Sequence, residues 1–243
     1  MRALLLAAGR GTRLGRLSET TPKCLQSIGG MPLLDRVIGQ LQDVGVKKFL
    51  INVHHHAQQI EQHILDNYGI ADFEIVQEEQ LLGTLGTLRA NSWFFQNDYG
   101  WVLHADNYIV GNLAQLLEDF KSRPPECTGA MLTFRTDDPT SCGIVERDSR
   151  GVLTSFHEKL LSPPGNEASA ATFIFDSDVF AMMRELPPNE TDLGQHLIPR
   201  LVGQLLVVSH DGDVVDIGTP LGLEKARRLA QQPQSISDQG PRA

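Results

Sequence analysis

The apolar positions of the chain fall alternately into short unbroken runs and helical stripes, the arrangement expected of strands and crossover helices in a parallel α/β sheet. Residues 2 to 8 read as a strand buried on both faces, because after Arg2 they are apolar without alternation. Over 32 to 45, Leu33, Leu34, Val37, Ile38 and Leu41 recur at helical spacing, with Pro32 near the first turn and Gly45 at the stop, which predicts a crossover helix. KFLINV (48 to 53) predicts a second strand, residues 57 to 69 an amphipathic helix closed by glycine, and FEIVQ (73 to 77) a third strand. A helix is expected from about residue 84, a fourth strand over 101 to 107 and a further helix over 113 to 121.

After Pro124 and Pro125 the pattern changes. TGAMLTFR, CGIVER and GVLTSFHEK are short strand-like runs separated by the turn signals DDPTS and DSRG, so an antiparallel insertion is expected. SPPGNEAS reads as a turn and ATFIF (171 to 175) as a buried strand, while DSDVFAMMREL and LGQHLIPRLVG read as helices. QLLVVSH and DVVDIG are the expected closing strands, followed by the helix GTPLGLEKARRLA. No internal repeat is present. The fold class is therefore α/β, a Rossmann-like three-layer sandwich with a mainly parallel central sheet and a small antiparallel insertion. One domain is expected over 1 to 230, its halves meeting near residues 122 and 123, and the polar, Pro/Gly/Ser-rich stretch 231 to 243 is expected to be disordered.

Composition narrows the chemistry. The chain has 243 residues, 41% of them hydrophobic, enough for a substantial core. Its formal charge of -9, with no polybasic run, argues against nucleic-acid or membrane-surface partners. An acidic protein that binds a polyanion needs local cations and a divalent metal. Cys24, Cys127 and Cys142 form no CxxC pair, so neither a disulfide framework nor a zinc site is indicated, and a reducing cytoplasm is the expected setting. The N-terminal apolar run enters a glycine loop rather than a cleavage site, and no stretch has the length of a membrane span.

The local cations are found in LLLAAGRGTRL (4 to 14) and its continuation to Lys23. Glycines there let backbone amides approach an anion, while Arg10, Arg13, Arg16 and Lys23 are opposed only by Glu19 between residues 10 and 23. This is a phosphate cradle by composition. It lacks the G-x-x-x-x-G-K-[ST] of a P-loop, and Leu14 stands where the third glycine of a dinucleotide fingerprint would be. Asp106 ends the fourth strand, on the sheet edge that also bears the glycine loop, and is suited to Mg²⁺ or to capping a turn. Asp216 lies in Val-Val-Asp-Ile-Gly, where apolar neighbours raise a carboxyl pKa unless a cation or hydrogen bonds compensate. Gly83, Thr84, Gly86 and Thr87 suit either a flat ring or close helix packing. Glu158 and Lys159, adjacent at a strand end, suit either a substrate or a solvated pair. His54, His55 and His56 with His63 resemble a metal cluster, but adjacent residues cannot all face one ion.

LLLAAGRGTRL with TTPKCL resembles the signature of the sugar-phosphate nucleotidylyltransferases, and the resemblance extends to about residue 230. LLGTLGTL is similar to the family's base-binding segment, HAD (104 to 106) to its metal aspartate, CGIVE (142 to 146) and FHEK (156 to 159) to its sugar and phosphate motifs, and DIGTP (216 to 220) to its second metal aspartate. It most resembles the small members that make GDP-mannose or GDP-heptose. The resemblance implies a nucleotide-diphospho-sugar transferase fold and in-line attack of a sugar 1-phosphate on the α-phosphate of a nucleoside triphosphate, GTP foremost, with Mg²⁺ as cofactor. It implies that Ala8, Gly9, Gly11, Thr12 and Arg13 hold the triphosphate, that Gln77, Gly83 and Thr84 meet the base or ribose, and that Asp106 and Asp216 bind the metal. Lys23 would neutralise the transferring phosphate; Gly143, Glu158, Lys159 and Ser169 would bind the sugar phosphate. Arg13, Lys23 and Asp106 are the implied catalytic groups.

Two departures from the family pattern stand out. Ala105-Asp106 replaces the usual Gly-Asp, and Ala168, Ser169, Ala170 and Ala171 stand where an Asn-Ala-Gly or Asn-Gly turn is usual. The second departure motivates a rival reading, a non-catalytic sugar-nucleotide-binding regulator on the same scaffold. Another rival is a cytidylyltransferase acting on a non-sugar alcohol phosphate, against which FHEK and DIGTP count. The same chemistry with UTP, CTP or dTTP is also left open, as is a homo-oligomer.

Overall fold

The computed structural model describes residues 1–96 and 98–232. In chain order, β1 (Arg2–Leu6) leads through the glycine loop and a short helix α1 (Leu17–Thr20) to the two-residue strands β2 (Ser27–Ile28) and β3 (Met31–Pro32) and to helix α2 (Leu33–Asp43). There follow β4 (Lys48–Val53), α3 (Ala57–Asn67), β5 (Phe73–Gln77), α4 (Thr84–Ala90), β6 (Gly100–His104), β7 (Asn107–Ile109) and α5 (Ala114–Lys121). The second half comprises β8 (Gly129–Arg135), β9 (Gly143–Arg147), β10 (Leu153–Glu158), β11 (Glu167–Phe175), α6 (Ser177–Arg184), β12 (Leu205–Ser209), β13 (Val214–Asp216) and α7 (Pro220–Gln231). Most of the expected disordered tail lies outside the described residues; Gln231 itself closes α7.

Nine strands make one mixed sheet in the order β10-β9-β11-β6-β1-β4-β5, with β8 joined to β11 and β12 to β8. The strands β5, β4, β1 and β6 are mutually parallel, and β11 runs antiparallel to β6. The chain steps outward from β1 to β4 and β5, then returns to place β6 on the other side of β1. That reversal opens a crevice beyond the carboxyl ends of β1 and β6, where α/β sheets bind ligands.

Both faces of β1, β4 and β6 are buried, which explains the absence of alternation in β1. Ala3 and Leu5 face one core, built with Leu33, Ile38 and Leu41 of α2, Ile60 of α3 and Leu116 of α5. Leu4 faces the other, built with Leu85 and Leu88 of α4, Phe180 and Met183 of α6, and Leu197. Among the described residues, no helix is long and apolar enough to cross a membrane.

Several expected elements differ in detail. The insertion is antiparallel as expected in β8–β11 and β9–β10, and it is continuous with the main sheet through β11 and β6, while β8 also pairs in parallel with β12. The turn expected at SPPGNEAS ends early, because β11 already starts at Glu167. LGQHLIPRLVG is a π turn (Leu193–Leu197) followed by a 3-10 turn (Ile198–Leu201), not a single helix. Pro199 has no N–H to donate and crowds the carbonyl four residues earlier, so a regular helix cannot pass through it. DVVDIG leaves the main sheet and pairs antiparallel with β7 instead.

Gly100 opens β6 where an added methyl would fall on the ring of Phe95, itself stacked on Phe180 with ring centroids 4.1 Å apart. Gly100→Ala is expected to lower unfolding free energy by about 1–3 kcal/mol through overpacking. Gly39→Ala, in α2 with open space around its Cβ, is expected to raise it by roughly 0.5–1 kcal/mol. Urea unfolding of the two variants checks both signs.

Candidate active site

The loop after β1 turns on Gly11, whose φ of 63° is left-handed and whose Cβ position lies 3.2 Å from the Ser18 Cβ. A side chain there would be both strained and crowded. The following Thr12–Leu14 form a 3-10 turn closed by the bond from the Leu14 amide to the Gly11 carbonyl at 2.9 Å. Among the described residues, the amides of Gly9, Arg10, Gly11, Thr12 and Arg13 donate to no protein acceptor. Free amides in an exposed glycine turn are an anion nest. Ala8, the buried residue before them, anchors the loop to the sheet.

Asp106 follows β6, held by the bond from the Ala105 amide to the Leu6 carbonyl at 3.0 Å. Asp216 ends β13, and the β7–β13 pairing sets it directly opposite Asn107. Two acids separated widely in sequence thus converge on one point, where the Lys23 ammonium lies 2.5 Å from Asp106 Oδ2 and 2.8 Å from Asp216 Oδ1. Arg13 reaches the other oxygen of Asp216 at 3.2 Å. The Gly218 amide donates to Asp216 Oδ1 at 2.7 Å, and any Cβ at Gly218 would strike the Lys23 ammonium.

The charges explain the electrostatics. Burial alone would lower the Lys23 pKa, but Asp106 and Asp216 outweigh it and raise the pKa above the ordinary lysine value. Burial likewise pushes Asp216 upward, yet the Lys23 ammonium, the Gly218 amide and Arg13 bring it below the usual carboxylate range. The expectation of an acid enclosed by apolar neighbours needs correction: Val214 and Val215 are buried, whereas the Asp216 side chain is half exposed at the cleft. Cys24, beside Lys23, is no nucleophile, because burial, reinforced by Asp106, pushes its thiol up to about 12.

Two carboxylates converging within 2.8 Å of one cationic atom form a hard-oxygen seat that fits Mg²⁺, which takes one or two carboxylates and completes its shell with water and phosphate. The histidines do not compete for this role. His54 donates to the Glu78 carbonyl at 2.8 Å, His56 to the Ser18 carbonyl at 2.9 Å, and His63 pairs with Asp35 at 2.6 Å. Among the described residues, no three His, Cys, Asp or Glu side chains group as a metal cluster.

From this ionic centre a cleft of about 440 Å³ runs toward the second half, with Arg13 and Asp216 at one side and Gly143, Glu158, Lys159 and Ser169 at the other. Glu158 is wedged there: Cβ atoms at Gly143 and Gly194 would come within 2.9 and 2.7 Å of its Oε2. Those glycines are therefore space for a carboxylate. Lys159 does not point away from its neighbour as strand alternation suggests, because its φ of 50° turns it back so that its ammonium lies 3.2 Å from Glu158 Oε1. Ser169 enters through a bulge in β11, where the register with β8 jumps between Ser169 and Phe173. Ala171, at the second departure from the family pattern, takes a left-handed φ of 48°, its amide bonded to Ser169 Oγ at 3.2 Å.

Thr84 lines the same cleft, but its hydroxyl accepts from the Leu193 amide at 2.8 Å, and a Cβ at Gly83 would strike the Thr191 carbonyl. Here the packing reading of Gly83 is satisfied within the protein. Gln77 is exposed at the end of β5. Sequence reasoning missed Asn107, whose amide donates to the Ala170 carbonyl at 2.8 Å, and Asp192, which caps the π turn through the Gln195 amide at 2.9 Å and lines the cleft. Asp192 had a legible signal, an acid at a helix-like start, but capping explains that signal fully.

Residues 2–232 match the family model described as nucleotidyl transferase. Among curated relatives, a mannose-1-phosphate guanylyltransferase of Mycobacterium tuberculosis is 28% identical over 73% of this chain. The chain spans about half, 49%, of that protein's length. The UTP–glucose-1-phosphate uridylyltransferase AglF of Haloferax volcanii is 26% identical over 96% of this chain and 97% of its own. Among solved structures, HddC from Yersinia pseudotuberculosis, 21% identical, superposes with a TM-score of 0.75 over 94% of this chain and 98% of its own. That likeness speaks for the fold.

Lys23→Met leaves Asp106 and Asp216 facing each other and is expected to destabilise the apo protein. Asp216, lowered on folding, contributes stability above the ordinary aspartate value of 3.8 that is lost as pH falls through its folded pKa. Lys23, raised on folding, contributes stability below 10.5 that is lost as pH rises through its folded pKa. The stability difference between wild type and variant, measured by urea unfolding, should therefore be flat from about pH 5 to 9 and shrink on either side.

Proposed function

Because the chain belongs to the nucleotidyl transferase family, we propose that it joins a nucleoside triphosphate, GTP foremost, to a sugar 1-phosphate of mannose or heptose type, releasing pyrophosphate. The observation that carries this reading is the convergence of Lys23, Arg13, Asp106 and Asp216 at one end of a cleft whose other end holds Glu158 and Lys159. A cationic, metal-ready centre beside a pocket with a carboxylate and a lysine suits two phosphates meeting head-on.

A phosphate oxygen of the sugar 1-phosphate attacks the α-phosphorus, forming the new P–O bond as the bond to the β-phosphate breaks and pyrophosphate leaves. No covalent enzyme intermediate is needed, so positioning and cancellation of charge dominate the catalysis. Asp106 and Asp216 would hold Mg²⁺, which would supply Lewis-acid neutralisation of the phosphate charge. The free amides of the glycine loop and Arg13 grip the β- and γ-phosphates. Lys23 neutralises the transferring phosphate, Lys159 holds the incoming one, and Glu158 and Ser169 receive sugar hydroxyls. The backbone from Gln77 through Gly83 and Thr84 meets the base. A nucleoside triphosphate substrate favours a cytoplasmic setting.

The named relatives differ in base, guanylyl in one and uridylyl in the other. AglF aligns along nearly its whole length, which makes UTP with a hexose 1-phosphate the second reading. A pyrophosphate-release assay over GTP, UTP, CTP, ATP and dTTP against several sugar 1-phosphates decides between them; release with no pair overturns the enzyme reading in favour of a binding protein. Asp106→Ala is expected to abolish release at any magnesium concentration, and near-normal release would refute its role as ligand. Lys159→Met is expected to reduce kcat/KM roughly 10²- to 10³-fold, by analogy with the loss of one aligned charge donor, chiefly through the sugar phosphate.

A further inference from the structure

Glu78 is a buried carboxylate that the mechanism above does not use. It is 5% exposed, and its carboxylate faces only donors. Oε1 accepts from Asn52 Nδ2 at 2.8 Å and from the Thr87 hydroxyl, while Oε2 accepts from the Leu82 amide at 3.0 Å. Asn52 and Thr87 are themselves 3% and 1% exposed. A ring of donors alone suits an ionised carboxylate, which accepts and never donates. Such a group would be costly to bury without these bonds.

What the three partners belong to gives the network its meaning. Leu82 precedes Gly83 and Thr84 in the loop assigned to the base, and Thr87 lies one turn into α4 behind that loop. Asn52 sits near the end of β4, and its Oδ1 accepts from the amide of Ala7, the first residue beyond β1 and the start of the phosphate cradle. The chain of bonds Leu82–Glu78–Asn52–Ala7 therefore ties the loop after β5 to the loop after β1 across the end of β4. Both groups linked by it are backbone amides, so it sets main-chain position rather than side-chain rotamer.

We propose that Glu78 is a positioning residue that locks the base-side loop and the phosphate-side loop into one rigid nucleotide seat. The proposal rests on the nucleotidyl-transfer reading only for its kinetic consequence. Glu78→Gln is the discriminating change, because it keeps shape while replacing one acceptor oxygen with a donor. Whichever way the amide is turned, an N–H faces either the Leu82 N–H or the Asn52 amide group, and one link of the chain is opposed.

In hydrogen exchange, Glu78→Gln is expected to speed exchange of the Leu82 and Ala7 amides together, about tenfold or more, with the β9–β10 hairpin unchanged. In steady-state assays KM for the nucleotide should rise about tenfold, with kcat and KM for the sugar phosphate within about twofold. Thr87→Val, which removes one bond and keeps the carboxylate, should shift both readouts the same way, and Thr87→Ser should restore them; this pair carries the test if the Glu78 variant does not fold. Faster exchange at Leu82 with Ala7 unchanged, or an equal rise in both KM values, overturns the proposal. If the wild type turns over no substrate pair, the enzyme reading fails and the exchange pattern alone decides the clamp.

Discussion

The site depends on one ammonium group placed between two carboxylates. Lys23 joins the chain segment after β1 to Asp106 after β6 and Asp216 at the end of β13, three segments that share no secondary-structure element. In its absence Asp106 and Asp216 would repel each other across a partly dry cleft, where the effective dielectric is low enough for that repulsion to matter. In the proposed function the same convergence would offer hard oxygen donors to a divalent cation and positive charge to a polyphosphate. Structural cohesion and proposed chemistry thus draw on a single arrangement of charges.

Around that centre the fold supplies direction. The reversal of strand order at β1 opens the crevice, and the small β7–β13 pair brings Asp216 opposite Asn107. Toward the second half, glycines at 143 and 194 leave room for Glu158, and the left-handed turn at Lys159 sends its ammonium back over the same cleft. Positive φ at Lys159 and Ala171, neither of them glycine, costs backbone energy, and both residues line the cleft. Local strain of this kind persists where the surrounding pairing over-determines the chain.

Much of the site was legible in the residues. The glycine-arginine loop, Lys23, Asp106, Asp216, Glu158 and Lys159 are all unusual for their surroundings, and the structure brings them to one cleft and its rim. Asn52 and Glu78 were less visible. A single Asn within KFLINV and one of the two acids in QEEQ are common accidents of composition, and only their partners distinguish them. The reading of Gly83 stayed open for the opposite reason: one residue type satisfies both close ligand approach and close packing, and the nearby Thr191 carbonyl shows packing at work.

By itself the sequence determined the parallel α/β class, the positions of the first strands and helices, and the glycine-rich, locally basic character of the loop from Gly9 to Lys23. These follow from local rules: apolar period, turn chemistry and the sign of nearby charge. Tertiary structure decided that β8 and β11 belong to the same sheet as β1, that the 193–201 segment splits into π and 3-10 turns, and that Asp216 faces the cleft half exposed. It also decided that Asp106 and Asp216 meet at Lys23. Such pairings are set by strand register between segments far apart in sequence, and register is a property of the assembled sheet that no local window of residues contains.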